Sequence, residues 1–280
     1  VTYLARSQKD LAGFDAFMKI AAEHDLDTRL IDANETASLF EGAARRYAGA
    51  MVTPSDLRAE PWLAVPALAR LAVRHGVKIV ENCAARALEL SAGRVSGVWT
   101  EAGPIATSSV LVAGGAWSSL FLRKHGISIP QLSVRATVAA TGPLPEIHAG
   151  AAADAQIAFR RRQDGGYTLA PGGSSQLSLG PDAFRHAPKY LPVLKANPLG
   201  MRYRLTAPAA FPDGWTTPRD WTPDGASPFE AMRVLDPAPE HARLRAIERD
   251  FQALFPQIGP VSLRTTWAGM IDAMPDVVPI

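Results

Sequence analysis

A chain of 280 residues can bury a sizeable core and hold two modest domains, and 47% hydrophobic against 20% charged residues is an ordinary globular composition. With 29 basic and 27 acidic residues the net charge is only +2, and no basic run is long enough to make a nucleic-acid face, so small-molecule partners are expected. The single Cys83 excludes an internal disulfide framework, and six scattered histidines leave no cluster at metal-ligand spacing, so no metal is expected. No stretch approaches the roughly 18 apolar residues of a membrane span, and no charged-then-apolar leader opens the chain. A cytoplasmic location is the expectation.

Val1 to Arg6 reads as a strand. Ser7 then caps a helix whose Leu11, Phe14, Phe17, Met18, Ala21 and Ala22 recur at helical spacing, the pattern of core packing. Asp32 with Glu35 three residues on predicts a capping box and a short second helix. Tyr47 to Val52 reads as a strand and Thr53-Pro-Ser-Asp as a turn. From Glu60 to His75 the apolar Leu63, Ala67, Leu68, Leu71 and Ala72 share one helix face, and Gly76 ends it. The internal Pro66 predicts a late start or a kink, since proline removes an amide and clashes with the preceding turn. Strands follow at Val77–Val80, Ala84–Leu90, Val95–Thr100 and Ile105–Ala106, with turns at Ser91-Ala-Gly-Arg and Glu101-Ala-Gly. Arg86 is expected as a solvated charge.

The run Val110-Leu-Val-Ala-Gly-Gly-Ala-Trp-Ser118 organises this part of the chain. Branched and small apolar residues leading into two glycines predict a strand buried on both faces. It would end where Gly114 and Gly115 let a backbone come close to a ligand beyond the strand's carboxyl end. A plain tight turn between strand and helix is the alternative.

The order helix, Gly76-Val-Lys-Ile, a backbone-contact position at Ala85, Gly93-Arg-Val-Ser-Gly-Val and Val112-Ala-Gly-Gly-Ala-Trp-Ser, with Trp267-Ala-Gly near the end, resembles the second half of the FAD domain in a known superfamily. These are the flavoenzymes that include D-amino-acid oxidase, glycine oxidase and sarcosine oxidase. The resemblance implies FAD as cofactor, a main-chain adenine contact at Ala85, and adenosine and pyrophosphate contacts at Ala113, Gly114 and Gly115. Trp117 would line the flavin site or cover the sheet, and Ser118 would open the next helix. A dinucleotide-binding fold usually opens with a Gly-x-Gly-x-x-Gly turn, which this sequence lacks, and the first residue is Val1. A fragment is therefore expected, without an N-terminal unit of roughly 30 residues and without its C-terminal end.

Beyond Pro130 the character changes. Val134 to Thr141 alternates small apolar with polar residues, and Ala158 to Ala170 with Asp164-Gly-Gly at its centre is a hairpin signature. Family members place a largely antiparallel sheet here that roofs the flavin and holds the substrate. Along this strand Arg161, or the pair Arg160 and Arg162, can point inward, but not all three. Lys189 to Asp224 reads as a long loop with short strands, with a lid as one use of it. Helices are expected at Pro228–Met232 and Pro239–Phe255, and a strand from Ser262 through Trp267-Ala-Gly.

The fold expected is α/β (α+β): a partial FAD-binding Rossmann-like domain, residues 61–129 and 263–280, with an antiparallel-rich mixed-sheet substrate domain, residues 1–60 and 130–262. Val1–Arg6 should then join the strands near Val134 or Phe159 and leave the Val110 run alone.

The function implied by the resemblance is FAD-dependent oxidation of the C–N bond of a small amine or amino acid, by hydride transfer to flavin. The electron acceptor, oxygen or a redox partner, stays open, and no acid or base is assigned. Arg161, Tyr167, Trp267 and Ile271 are the substrate-side candidates. Ile271 stands where relatives commonly carry an arginine for the substrate carboxylate, and Asp272, Pro275 and Asp276 look like the sarcosine and dimethylglycine oxidoreductases, with Met274 departing from both groups. An N-alkylated amino acid is favoured on that ground. The alternatives are a D-amino-acid dehydrogenase or oxidase, a reductase or hydroxylase on a related FAD domain, and a cofactor-free, inactive fragment that would show no yellow flavin spectrum.

Overall fold

The computed structural model describes residues 1–173, 175–196 and 200–276, which pack into two compact units. Unit 1 comprises Val1–Val77, Thr137–Gly173 and Ala238–Ala268, and unit 2 the described parts of Lys78–Ala136, Ser174–Pro237 and Gly269–Ile280. Residues 61–77 thus pack with unit 1 and the described part of 174–237 with unit 2, where the sequence suggested breaks at 60, 130 and 262.

Unit 1 is built on a mixed sheet. β1 (Thr2–Ala5) pairs antiparallel with β3 (Gly49–Val52), which pairs with β2 (Arg29–Asp32). On its other side β1 runs parallel to β8 (Ala151–Ala153), followed by β9 (Ile157–Arg161), β10 (Tyr167–Pro171) and the last residues of β7 (Leu132–Thr141). Alternation decides the faces. Ile157, Phe159, Tyr167 and Leu169 are buried against Ile247, Phe251 and Leu254 of α8 (His241–Leu254) and against Phe255, forming the unit's core. The intervening Ala158, Arg160 and Thr168 belong to the other face.

Helix signals read from sequence hold at their starts. α1 (Gln8–Glu23) opens on a capping box in which the Asp10 amide donates to Ser7 Oγ at 3.3 Å and the Ser7 amide to Asp10 Oδ2 at 2.9 Å. Of its apolar residues named above only Ala21 is buried, so the helix covers the sheet by an edge. α2 (Ala33–Leu39) is capped by Asp32, which accepts from the amides of Asn34 and Glu35 at 2.8 Å each. Glu35 pairs with Arg29 at 2.7 Å instead of closing a box. α3 (Pro61–Arg74) starts at Pro61 and continues through Pro66, and none of its residues is buried.

Unit 2 contains a small antiparallel sheet of β4 (Ala85–Ser91), β5 (Arg94–Thr100) and β6 (Gly103–Ala106). Its first hairpin turns at Ala92 and Gly93, both at positive φ, as a tight two-residue turn requires. Two expected strands are absent. Val77–Val80 and Val110–Ala113 are irregular, and Leu111 is 91% exposed. An apolar run becomes a buried strand only where another strand accepts its backbone, and none among the described residues pairs with either run.

After a single 3-10 turn at Gly115–Trp117 comes α4 (Ser118–Lys124), with Ser118 to Phe121 buried. The first residues of β7 pair with β11 (Ser175–Ser178), which runs parallel to β12 (Met201–Arg204). α5 (Pro181–Arg185) and α6 (Ala187–Ala196) come between them, so the stretch read as a loop from Lys189 opens as a helix. Tyr190 explains it: its ring packs with Leu132, Val134 and Leu177, and its hydroxyl lies 2.5 Å from the carbonyl oxygens of both Pro130 and Ala273, which share its one proton. That anchoring outweighs the cost of Pro192 inside the helix.

α7 (Pro228–Ala231) follows, and β13 (Leu263–Ala273) belongs to unit 1 up to Ala268 and to unit 2 beyond it. The class is mixed α/β with a mixed sheet and a small antiparallel one, as the sequence predicted. Among the described residues no helix is long and apolar enough to cross a membrane, and no cluster of three or more His, Cys, Asp or Glu could hold a metal.

Candidate functional site

Unit 2 holds a cavity of about 550 Å³ lined by Val80, Ala85, Val98, the run from Val110 to Gly114, Trp117 and Phe229. One wall is the edge strand β4 beside Ala85. Further along that edge the Arg86 carbonyl accepts from Trp221 Nε1 at 2.9 Å and the Leu88 amide donates to His125 Nε2 at 2.9 Å, leaving the end at Ala85 as the part that faces the cavity. A second wall is aromatic. Trp117 meets Phe229 edge-on at 5.4 Å, and Phe229 meets Trp221 in the same way at 5.3 Å.

The floor is the Val110–Gly114 backbone. Among the described residues the amides of Val112 and Ala113 have no hydrogen-bond partner, so they are free to donate to oxygen atoms of a ligand. Gly114 carries no Cβ, and one placed there would lie 3.4 Å from Ser118 Oγ. Gly115 is in the left-handed region at φ +53°. Its carbonyl accepts from Gln131 Nε2 at 3.0 Å, while Gln131 Oε1 accepts from the Ser119 amide at 2.9 Å, so one buried glutamine pins the turn to the helix that follows. Asp272 stands beside Gly115, its Oδ2 4.0 Å from where a Cβ would be. Partial burial raises its carboxyl above the usual range, against a hydrogen bond from Gln131 that lowers it.

Arg86 is no solvated charge. Its guanidinium donates to Glu230 through Nε at 2.9 Å and to the Asp224 carbonyl at 3.2 Å. Burial would raise Glu230, but hydrogen bonds from Arg86 and Ser227 outweigh it and bring the carboxyl down to about 2. This pair clips β4 to α7, which carries Phe229.

Unit 1 holds a second cavity, of about 830 Å³, on the sheet face opposite its core. Arg160, Thr168 and Ala140 line it from the sheet, Arg264, Thr265 and Trp267 from β13, and Glu60, Trp62 and Leu63 from the start of α3. Trp62 and Trp267 meet edge-to-face with centroids 6.2 Å apart.

The substrate-side candidates separate. Trp267 lines this cavity, whereas Tyr167 lies in the core on the opposite face, fully buried, with its hydroxyl accepting from the Ile147 amide at 2.8 Å. Arg161 stays with Tyr167, over its ring at 5.0 Å and donating to the Leu144 carbonyl at 2.8 Å. Ile271 is half exposed on the unit 2 part of β13. Of the cofactor-side candidates, Ala85, Ala113, Gly114 and Trp117 line one cavity, and Gly115 adjoins it. Sequence reasoning missed Gln131, Trp62 and Arg264. Nothing local marks Gln131 or Trp62, and alternation along the expected strand puts Arg264, three residues before Trp267, on the face opposite that tryptophan, so spacing could not have found it either.

A family model described as FAD dependent oxidoreductase (DAO) matches residues 1–280. The D-amino acid dehydrogenase 2 of Mesorhizobium japonicum is 31% identical over 151 residues, 52% of this chain and 36% of that protein. Mouse mitochondrial sarcosine dehydrogenase is 27% identical over 139 residues, 47% of this chain and 15% of its own length. Among solved structures, L-amino acid deaminase from Proteus myxofaciens in complex with anthranilate matches with a TM-score of 0.91 and 28% identity, over 100% of this chain and 63% of that one. The aligned stretches thus span about a third or less of these curated relatives, and the chain under two thirds of the solved one. The match over the whole sequence, with glycines and unpaired amides at the cavity where the resemblance placed a nucleotide, means that this chain belongs to the DAO family of FAD-dependent oxidoreductases.

Proposed function

We propose that this protein oxidises the C–N bond of an amino acid with FAD as its cofactor, unit 2 carrying the adenosine-side contacts and unit 1 the substrate contacts. When bound, FAD supplies the acceptor for the hydride that leaves the carbon beside the amine nitrogen, and water then hydrolyses the imine. The observation that carries the reading is the unit 2 cavity, where Gly114 has no side chain and the Val112 and Ala113 amides are unpaired. Such a floor suits ribose and phosphate oxygens, and the Ala85 strand edge suits the ring atoms of an adenine. Trp117, held by Phe229, would close one side.

An amino acid is favoured as substrate because arginines line the unit 1 cavity, where a carboxylate can be met. The same arginines remove the weight that Ile271 placed on an N-alkylated substrate, since they meet a carboxylate without an arginine at 271. The bond and the carboxylate define the reading, and primary and secondary amines compete within it. A cytoplasmic site of action goes with it, resting on the lone Cys83.

The test is to express the chain with its natural flanks, record a visible spectrum, and add D-alanine, L-phenylalanine and sarcosine without oxygen. The expected outcome is a yellow protein bleached by at least one of them and not by the matching amine that lacks a carboxylate. A colourless protein, or one bleached equally by the decarboxylated amines, overturns the reading. Readmitting oxygen then separates an oxidase from a dehydrogenase.

A further inference from the structure

Phe229, Met232, Arg233 and Val234 line the unit 2 cavity from the segment 221–234, far along the chain from the glycine floor. Apart from the single turn of α7 this segment is irregular, and among the described residues its backbone hydrogen bonds stay within it. Side chains tie it to the rest of unit 2. At one end Trp221 is buried, its Nε1 donating to the Arg86 carbonyl at 2.9 Å and its own carbonyl accepting from Lys124. At the other end the more exposed Arg233 pairs with Glu101 at 2.6 Å. Between them Arg86 meets Glu230, both side chains largely buried, and donates to the Asp224 carbonyl at 3.2 Å. That pair joins the immediate neighbours of two walls. Arg86 follows Ala85, the strand end that faces the cavity, and Glu230 follows Phe229, a ring that lines it.

We propose that residues 221–234 form a strap over the cofactor cavity, latched by Arg86 and Glu230, and that release of this latch sets the rate at which the bound cofactor leaves. This rests on the reading that unit 2 takes FAD. A segment with no backbone bonds to its surroundings opens at the cost of side-chain contacts alone, which places it among the less stable parts of a fold. β4 is fixed in its sheet by β5, so of these two walls the strap is the one that can move. Among its contacts the Arg86–Glu230 pair is the strongest, since a guanidinium and a carboxylate shielded from water attract more than the exposed Arg233–Glu101 pair. Burial would raise Glu230, but its hydrogen bonds bring it down to about 2, so the latch keeps its charge through the neutral range. What the latch holds in place is Phe229, edge-on to Trp117 and Trp221 and 6.0 Å from Phe121.

The test uses the FAD-loaded protein with its natural flanks and follows exchange of the bound FAD for excess 5-deaza-FAD by the loss of flavin absorbance. Glu230→Gln keeps an acceptor for the Ser227 amide, which spares the capping box, and leaves Arg86 without its counter-charge. Release should quicken at least tenfold in Glu230→Gln and in Arg86→Gln. The double variant should release no faster than the faster single one, because both lose the same contact. Uptake of FAD by the stripped protein should be unchanged or faster, since an open strap uncovers the way in. Phe229→Ala should also quicken release, and with Glu230→Gln it carries the test if Arg86→Gln does not fold. Release within twofold of the parent in the latch variants, single effects that multiply in the double variant, or uptake slowed as much as release is quickened overturns the inference. Its failure is distinct from failure of the functional reading: flavin that amino acids bleach, with release indifferent to the latch, leaves the oxidoreductase and removes the strap. Release governed by the latch in a protein that no amino acid bleaches does the reverse, and a colourless protein removes both.

Discussion

At Gly114 the backbone sits at φ −80°, which any residue adopts, while its neighbour Gly115 sits at +53°, which favours glycine. The two positions therefore answer different questions. Gly114→Val should fold as the parent does, because the strain is absent and only Ser118 Oγ must give by a few tenths of an ångström. Its methyls would enter the cavity, so flavin recovered per protein should fall sharply, and a full flavin content in this variant would remove the glycine from the cofactor site. Gly115→Ala should instead lose stability, by about 1 kcal/mol from the left-handed backbone, read as a lower denaturation midpoint without flavin.

A third residue sets a pH dependence. Burial, and after it the nearby Asp182 charge, push the Asp213 carboxyl up to about 6, against hydrogen bonds from the Asp182 amide and the charges of Arg219 and Arg123. A carboxyl raised on folding binds its proton more tightly in the folded state, so its contribution to stability is fully present below the unfolded value near 3.8 and is lost as pH rises through about 6. Asp213→Asn keeps an acceptor for the Asp182 amide, now 2.9 Å away, and removes the titration. The variant should gain stability relative to the parent at pH 7 and lose that advantage at pH 4. Urea midpoints at both values check it, and because the lowered His125, His148 and His186 are common to both proteins their effects cancel. An equal difference at both values would refute the assignment.

Among the elements, α3 is the one whose composition and position disagree. It is apolar, unburied, and interrupted by Pro66, which offers no amide to the carbonyl of Trp62 four residues back. With none of its residues buried, propensity weighs heavily in this helix, and Pro66→Ala should stabilise it locally by about 3 kcal/mol. Slower amide hydrogen exchange across Pro61–Arg74 is the expected result, and unchanged exchange would mean the helix had already accommodated the proline. α1 gives the converse case, since its start is legible from Ser7 and Asp10 alone. Ser7→Ala should cost about 1 kcal/mol, detectable in the same exchange experiment at the first turn.

The misread Arg86 shows where element-level reading stops. A lone arginine beside alanines on a strand looks solvated because its partner Glu230 is 144 residues away in the chain.

For the molecule as a whole, a ligand that binds only the folded state raises stability by mass action. FAD at a hundred times its dissociation constant should add about 2.7 kcal/mol. A thermal midpoint that rises with FAD, and rises less in Gly114→Val, is the expected pattern for the chain with its natural flanks. A midpoint indifferent to FAD in both would count against the cofactor reading.

Caps, tight turns and strand alternation were legible because each is settled within a few residues: Ser7, Asp32, the Ala92-Gly93 turn and the alternating hairpin strands all stand where the sequence put them. The family was legible too, since glycines and apolar runs in a fixed order survive where side chains vary. Three matters were decided only by tertiary structure. The Val110 run is exposed because a strand needs a partner that local apolarity cannot supply. Period-two alternation groups Arg161 with Tyr167 and Arg160 with Thr168, but which group meets the core depends on α8, some eighty residues further along the chain, and α8 took Tyr167. Arg160 is balanced by Glu60, a hundred residues back in the chain, whereas Arg162 is balanced by Asp164 of its own hairpin: charge is local to a residue, but the neutralisation of Arg160 belongs to the fold.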